Sequence, residues 1–189
     1  EELSPVNVGF TSSYDPVSRQ ITVDVEVYYT GTSGLDNNIT VALLQNNVPC
    51  PQTGGSTYNP SQILSNGDYN HMHMLRKIIT DSVGGVSTPW GDVIPASSTT
   101  QGNLITKTYT WTLPQHISGP TYTTSTNPVM VACDPNNMDI VVFVSEGQQN
   151  ILTGGEAPLG GSNDGSAGVM IGTLIPTTPY GTSNIGTST

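Results

Sequence analysis

Apolar and polar residues alternate most cleanly in RQITVDVEVYYTG, where Ile21, Val23, Val25, Val27 and Tyr29 fall on one face and Thr22, Asp24, Glu26 and Tyr28 on the other. A period of two predicts a strand with one face in a core and the other in water. Upstream, VNVGF alternates Val6, Val8 and Phe10, and SYDPVS supplies a proline-containing turn, so the first two strands are expected to pair antiparallel. ITVALLQNN is apolar on both faces, which suits a central strand. NLITKTYTWTLP sets Ile105, Lys107, Tyr109, Trp111 and Leu113 against Leu104 and four threonines, while NPVMVAC and MDIVVFVSE are separated by the turn DPNN. The glycine-, proline- and serine-rich run from Ser82 to Gly102 reads as mostly loop.

With about eight or nine strands and no sustained helical period, the fold class is all-β, most simply a two-sheet β-sandwich with jelly-roll-like connections; a closed barrel is the alternative. Residues 1–154 form the expected sandwich domain. Residues 155–189 differ: TGGEAPLGGSNDGSAG has a linker's composition, VMIGTLIP is strand-like, and TTPYGTSNIGTST is polar. Such an extended tail gains order by pairing its backbone with its own sheet edge or with a neighbouring subunit.

Charge narrows the partners. Lys+Arg number 4 against 14 Asp+Glu, for a formal net charge of -10 and a pI near 4.2. So few cations cannot neutralise phosphates, which argues against nucleic acid and anionic membrane. No apolar run is long enough for a transmembrane helix, and no signal-like segment precedes Glu1, so the numbering is expected to begin at a processed end. Cys50 and Cys133 follow turn-like segments and have no C-x-x-C neighbour. They are expected to pair, the alternative being two buried thiols; a loop of roughly 80 residues would contribute about 4–5 kcal/mol on the chain-entropy view.

Chemistry concentrates in DYNHMHMLRKI. His71 and His73 stand at i and i+2, on one face if the run is a strand, and could ligate zinc or copper with His116 as a third ligand. The preferred reading is structural: the imidazoles bond to backbone or to Tyr and Asn groups, and Arg76 pairs with Asp81 or Asp92. The five methionines, Met72, Met74, Met130, Met138 and Met170, read as core filling. DPNNMD and SNDG crowd oxygen ligands but lack calcium-loop spacing. There is no G-x-S-x-G, no HExxH and no glycine-rich strand-to-helix turn, so no catalytic residue, metal or cofactor is expected. Asn38, in NIT, is an N-glycosylation sequence.

The order of ALLQNNVPCPQ, NHMHMLR, PWGDVI, TYTWTLP and MDIVVFVSEGQQNIL resembles the outer-membrane-protein-28-related family of Bacteroidota in its β-rich domain, over about residues 1–153. The matching positions are His71 to Arg76, then Trp90-Gly91, then Val142, Phe143 and Val144. The resemblance implies an exported protein at the surface of a Gram-negative cell, with adhesive or receptor-like roles and no established enzymatic activity. It also brings attention to Asp81-Ser82-Val83, similar to that phylum's O-glycosylation triplet, with Ser82 as the acceptor. The chain departs from the family pattern in having no anchor cysteine near Glu1 and in adding HISGPTYTTSTNP and the tail.

Two functions follow as expectations. In the first, the protein is a non-enzymatic surface subunit that assembles with itself into a fibre, VMIGTLI or VNVGF completing a neighbour's open sheet edge. In the second, it is an adhesin that holds glycan or host protein through loops such as Ser82 to Thr100, with Trp90 and Tyr58 stacking on sugar faces.

Overall fold

The computed structural model describes residues 4–118 and 130–163. In chain order the strands are β1 (Val6–Asp15), β2 (Gln20–Tyr29), β3 (Asn37–Gln45), β4 (Val48–Cys50), β5 (Tyr69–His71), β6 (Met74–Ile78), β7 (Ser82–Val83) and β8 (Val86–Ser87). There follow β9 (Asp92–Ile94), β10 (Leu104–Thr112), β11 (His116–Ser118), β12 (Met130–Ala132), β13 (Met138–Glu146), β14 (Asn150–Pro158) and β15 (Ser162–Asn163). One sheet has the order β10-β2-β1-β15; the other has the order β14-β13-β3-β6, with β9 also paired to β3. The pairings within both sheets are antiparallel. The chain crosses between the sheets at β2–β3, β9–β10, β10–β13 and β14–β15, β1–β2 and β13–β14 are hairpins within one sheet, and the sheets do not close into a barrel.

The alternation of β2 decides the packing. Ile21, Val23, Val25, Val27 and Tyr29 are at most 1% exposed. They meet Ile39, Val41 and Leu43 of β3 and Ile140, Val142 and Val144 of β13 in a single core cluster. Burying each such side chain contributes about 1.5–3 kcal/mol, which is the main force holding the sheets face to face. The inward Tyr29 hydroxyl, a polar group in this core, donates to Asn37 Oδ1 at 2.8 Å.

Three expectations change in detail. VNVGF, as β1, has Val6, Val8 and Phe10 buried and lies between β2 and β15. It is therefore committed to its own sheet and is not free to complete a neighbour's. The boundary expected at residue 154 falls inside β14, and β15 pairs Phe10 with Asn163, so residues 155–163 belong to the sandwich. The remaining tail, including VMIGTLIP, lies outside the described residues. The run from Ser82 to Gly102, expected as loop, contributes β9, whose Asp92, Val93 and Ile94 pair with β3. Its short length and single buried-side alternation, with Asp92 and Ile94 inward, hide it among glycines and prolines.

Gly91 explains how β9 reaches that position. Its φ is +103°, and a Cβ there would stand 2.5 Å from the Ile39 carbonyl oxygen and 2.9 Å from Thr40 Oγ1. Only a residue without a side chain lets the backbone pass that close to β3 in that conformation. Trp90-Gly91 is thus a docking turn, with the indole of Trp90 left 55% exposed.

Candidate functional site

The histidine-rich run does not continue as one strand. β5 ends at His71, and His73 has φ 51°, a left-handed conformation held by its amide donating to Asn46 Oδ1 at 2.8 Å. That turn sends the two imidazoles to different places, against the expectation of a shared face. His71 packs at a tilt against Tyr69, with ring centroids 4.9 Å apart and 58° between the ring planes. His73 swings to β14, its Nε2 3.5 Å from Glu156 Oε1. His116 pairs in register with Ala132 on the small β11–β12 ribbon.

The three histidines therefore do not converge. Among the described residues, the metal-capable side chains that do come together are His73, Asp139 and Glu156, whose ligand atoms lie within 4.8 Å of one another. Asn46 ties this trio together, since its Nδ2 donates to Asp139 Oδ2 at 2.6 Å while its Oδ1 holds the His73 amide. Sequence reasoning missed Asp139 and Glu156 because their proximity depends on the β13–β14 register, in which Val141 opposes Glu156.

Arg76 is buried and does not meet either expected carboxylate. Its Nη2 lies 3.3 Å from the Val131 carbonyl oxygen, 3.5 Å from that of Ile117 and 3.9 Å from Cys133 Sγ. Asp81 is taken by Lys77. Asp92 accepts from the Tyr109 hydroxyl at 2.8 Å and stands 3.1 Å from Lys107 Nζ. Arg76 thus serves the backbone of the β11–β12 ribbon.

Cys50 and Cys133 are buried free thiols and form no bridge. Burial, then the Asp68 charge, pushes the Cys50 thiol above its ordinary pKa, with Arg76 opposing. The same guanidinium lies 3.9 Å from Cys133 Sγ.

The other flagged turns resolve simply. Asp134 caps Pro135–Asn137 by accepting from the Asn136 amide, which accounts for the oxygen crowding in DPNNMD. SNDG begins in β15 and runs beyond the described residues. Ser82 is exposed, whereas Asn38 is half-buried and donates to the Gly147 carbonyl.

Two surfaces stand out instead. The first is the edge of β10. Tyr29 N donates to Asn103 O at one end and Leu113 N to Arg19 O at the other, so the odd-numbered residues of β10 bond to β2. The backbone groups of Leu104, Thr106, Thr108, Thr110 and Thr112 consequently point away from the sheet. These residues are exposed, and no strand pairs with them among the described residues.

The other long edge, β14, is interrupted by a bulge opposite Val144/Ser145 and carries Gly154, Gly155 and Pro158. β6 is five residues with a bulge at its pairing, and β15 is two. Such interruptions are how proteins blunt an edge, and β10 has none of them.

The second surface is a cavity of about 520 Å³ between the helical turn Gly55–Tyr58 and the β4–β5 hairpin. Tyr58, Tyr69, His71 and the amides of Gln52, Asn59 and Gln62 are among its lining. The density of Tyr, Asn and Gln in PQTGGSTYNPSQ was the available signal.

A two-sheet antiparallel sandwich with an open edge and a polar surface cavity defines an all-β domain. Among the described residues no helix is long and apolar enough to cross a membrane. The family model for outer membrane protein Omp28 matches residues 1–156, and the chain belongs to that family. Membership assigns it to the outer-membrane surface of a Gram-negative bacterium. No curated protein and no solved structure matches the chain.

Proposed function

We propose that this is a non-enzymatic surface protein that works by protein–protein contact, each copy accepting a strand from the next on its β10 edge. The supporting observation is the nine-residue β10, bulge-free and without glycine or proline, with one side of its backbone unpaired among the described residues. An added strand would bond to five consecutive outward-facing positions, and main-chain pairing of that kind needs no charged complement, which suits a chain with four cations. The donor is the apolar, β-branched segment 169–175, VMIGTLI. Donor and acceptor differ, so the contact is heterologous and builds an open polymer instead of a closed dimer.

Two changes test this. Thr110→Pro removes an outward amide without breaking the β2 ladder, since edge prolines are tolerated where the N–H faces solvent. A chain ending at residue 163 removes the donor and keeps the sandwich. Wild-type protein should form regular fibres in electron micrographs and sediment as polymer, and both variants should sediment as monomers. Fibres from either variant, or a wild type that stays monomeric at all concentrations, would refute the reading.

A further inference from the structure

The 520 Å³ cavity beside β5 falls within the ~300–1,000 Å³ range of small-ligand sites. Among the described residues no Asp, Glu, Lys or Arg lines it, although the chain carries 14 acidic and 4 basic residues. An ionic ligand would find no counter-charge there.

What the cavity offers is neutral hydrogen bonding beside aromatic faces. Gln52 and Gln62 present side-chain amides with no partner among the described residues, each both donor and acceptor. His71 has its Nε2 shielded from water and unpartnered among the described residues. Tyr58 stands 88% exposed at the rim.

The frame is pre-built. Gly54 has φ +76°, and a Cβ on it would stand 3.0 Å from the Tyr58 ring; one on Gly55 would stand 2.8 Å from that of Tyr69. The two glycines therefore let both rings lie against the turn. Asn59 Nδ2 then donates to the Tyr69 hydroxyl at 3.0 Å, and Tyr69 meets the His71 ring. The Tyr69 and His71 rings and the Asn59 amide are thus set before any ligand arrives, which lowers the entropy lost on binding.

We infer that this cavity binds an uncharged saccharide. Vicinal hydroxyls match the donor–acceptor amides, the CH face of a sugar ring matches the Tyr58 ring, and the absence of charge matches a neutral ligand. A peptide would look for a strand edge, and β5 is only three residues long. The site is separate from the β10 edge, so neither depends on the other.

Saturation-transfer NMR on the folded full chain tests it. The neutral probes are maltotriose, cellotriose, mannotriose and N-acetyllactosamine, which also separate bacterial, plant and host glycan sources; sialyllactose and a heparin tetrasaccharide are the charged controls. At least one neutral probe should bind with millimolar or better affinity and in preference to both charged ones. Tyr58→Ala, at an exposed position that leaves the fold intact, should weaken that binding about tenfold. Trp90→Ala, outside the cavity, should leave it unchanged. Failure of every neutral probe at about 10 mM, preference for a charged probe, or binding that ignores Tyr58→Ala or is lost with Trp90→Ala would overturn the assignment.

Discussion

Gly91→Ala isolates what the Trp90-Gly91 turn contributes. Two costs add at this position. The first is conformational: alanine at φ +103° leaves its preferred backbone regions, at about 1–2 kcal/mol. The second is steric. The new Cβ would be 2.5 Å from the Ile39 carbonyl oxygen and 3.0 Å from its carbonyl carbon, atoms of a central strand that is paired on both sides. Backbone cannot swing aside as a flexible side chain can, so overpacking adds about 1–3 kcal/mol. The sum, about 2–5 kcal/mol, is a large part of the 5–15 kcal/mol typical of a domain.

Gly102→Ala supplies the control. Its φ is +88°, but a Cβ there meets nothing within 4 Å, so only the conformational cost of about 1–2 kcal/mol remains. Urea unfolding followed by circular dichroism measures both variants. Gly91→Ala should be the less stable by at least about 1 kcal/mol, the lower limit of the steric cost. Equal losses would show that the contact with β3 carries no energy and that the docking turn is described wrongly.

Thr80→Val keeps the shape of a fully buried residue but leaves the Val41 amide, which donates to Thr80 Oγ1 at 3.1 Å, without a partner. Denaturant melts should record a loss of about 1–3 kcal/mol. Burial pushes the Tyr29 pKa up to about 12 from 10.0, so the native state keeps a proton that the unfolded chain releases. Stability should therefore be fully present below pH 10 and decline as pH rises through about 12, and Tyr29→Phe should flatten that decline in thermal melts. A thiol reagent should count two free cysteines in denaturant and essentially none in the native protein; a count of zero in denaturant would reinstate the bridge.

Legibility followed local periodicity. β1, β2, β3, β10 and β13 are visible in the sequence because each buries one face, or both, over nine or ten residues. β9 is three residues long, and β15 two, and neither is long enough to show a period. They exist because a neighbouring strand leaves them a place. Side-chain partnerships were less legible still. That Arg76 serves carbonyls, that Asp92 goes to Tyr109 and Lys107, and that His73 turns to Glu156 all depend on register and on one left-handed residue. The β10 alternation was plain, but its position at an edge is a property of strand order, which no single segment encodes.

Hydrogen exchange at the β10 backbone tests the central claim most directly. In dilute monomer the outward-facing amides of Thr106, Thr108 and Thr110 should exchange rapidly, while those of Ile105, Lys107 and Tyr109, bonded to β2, are protected. In assembled protein the three threonine amides should become protected as well. Assembled material in which they still exchange as in the monomer would contradict strand addition at this edge.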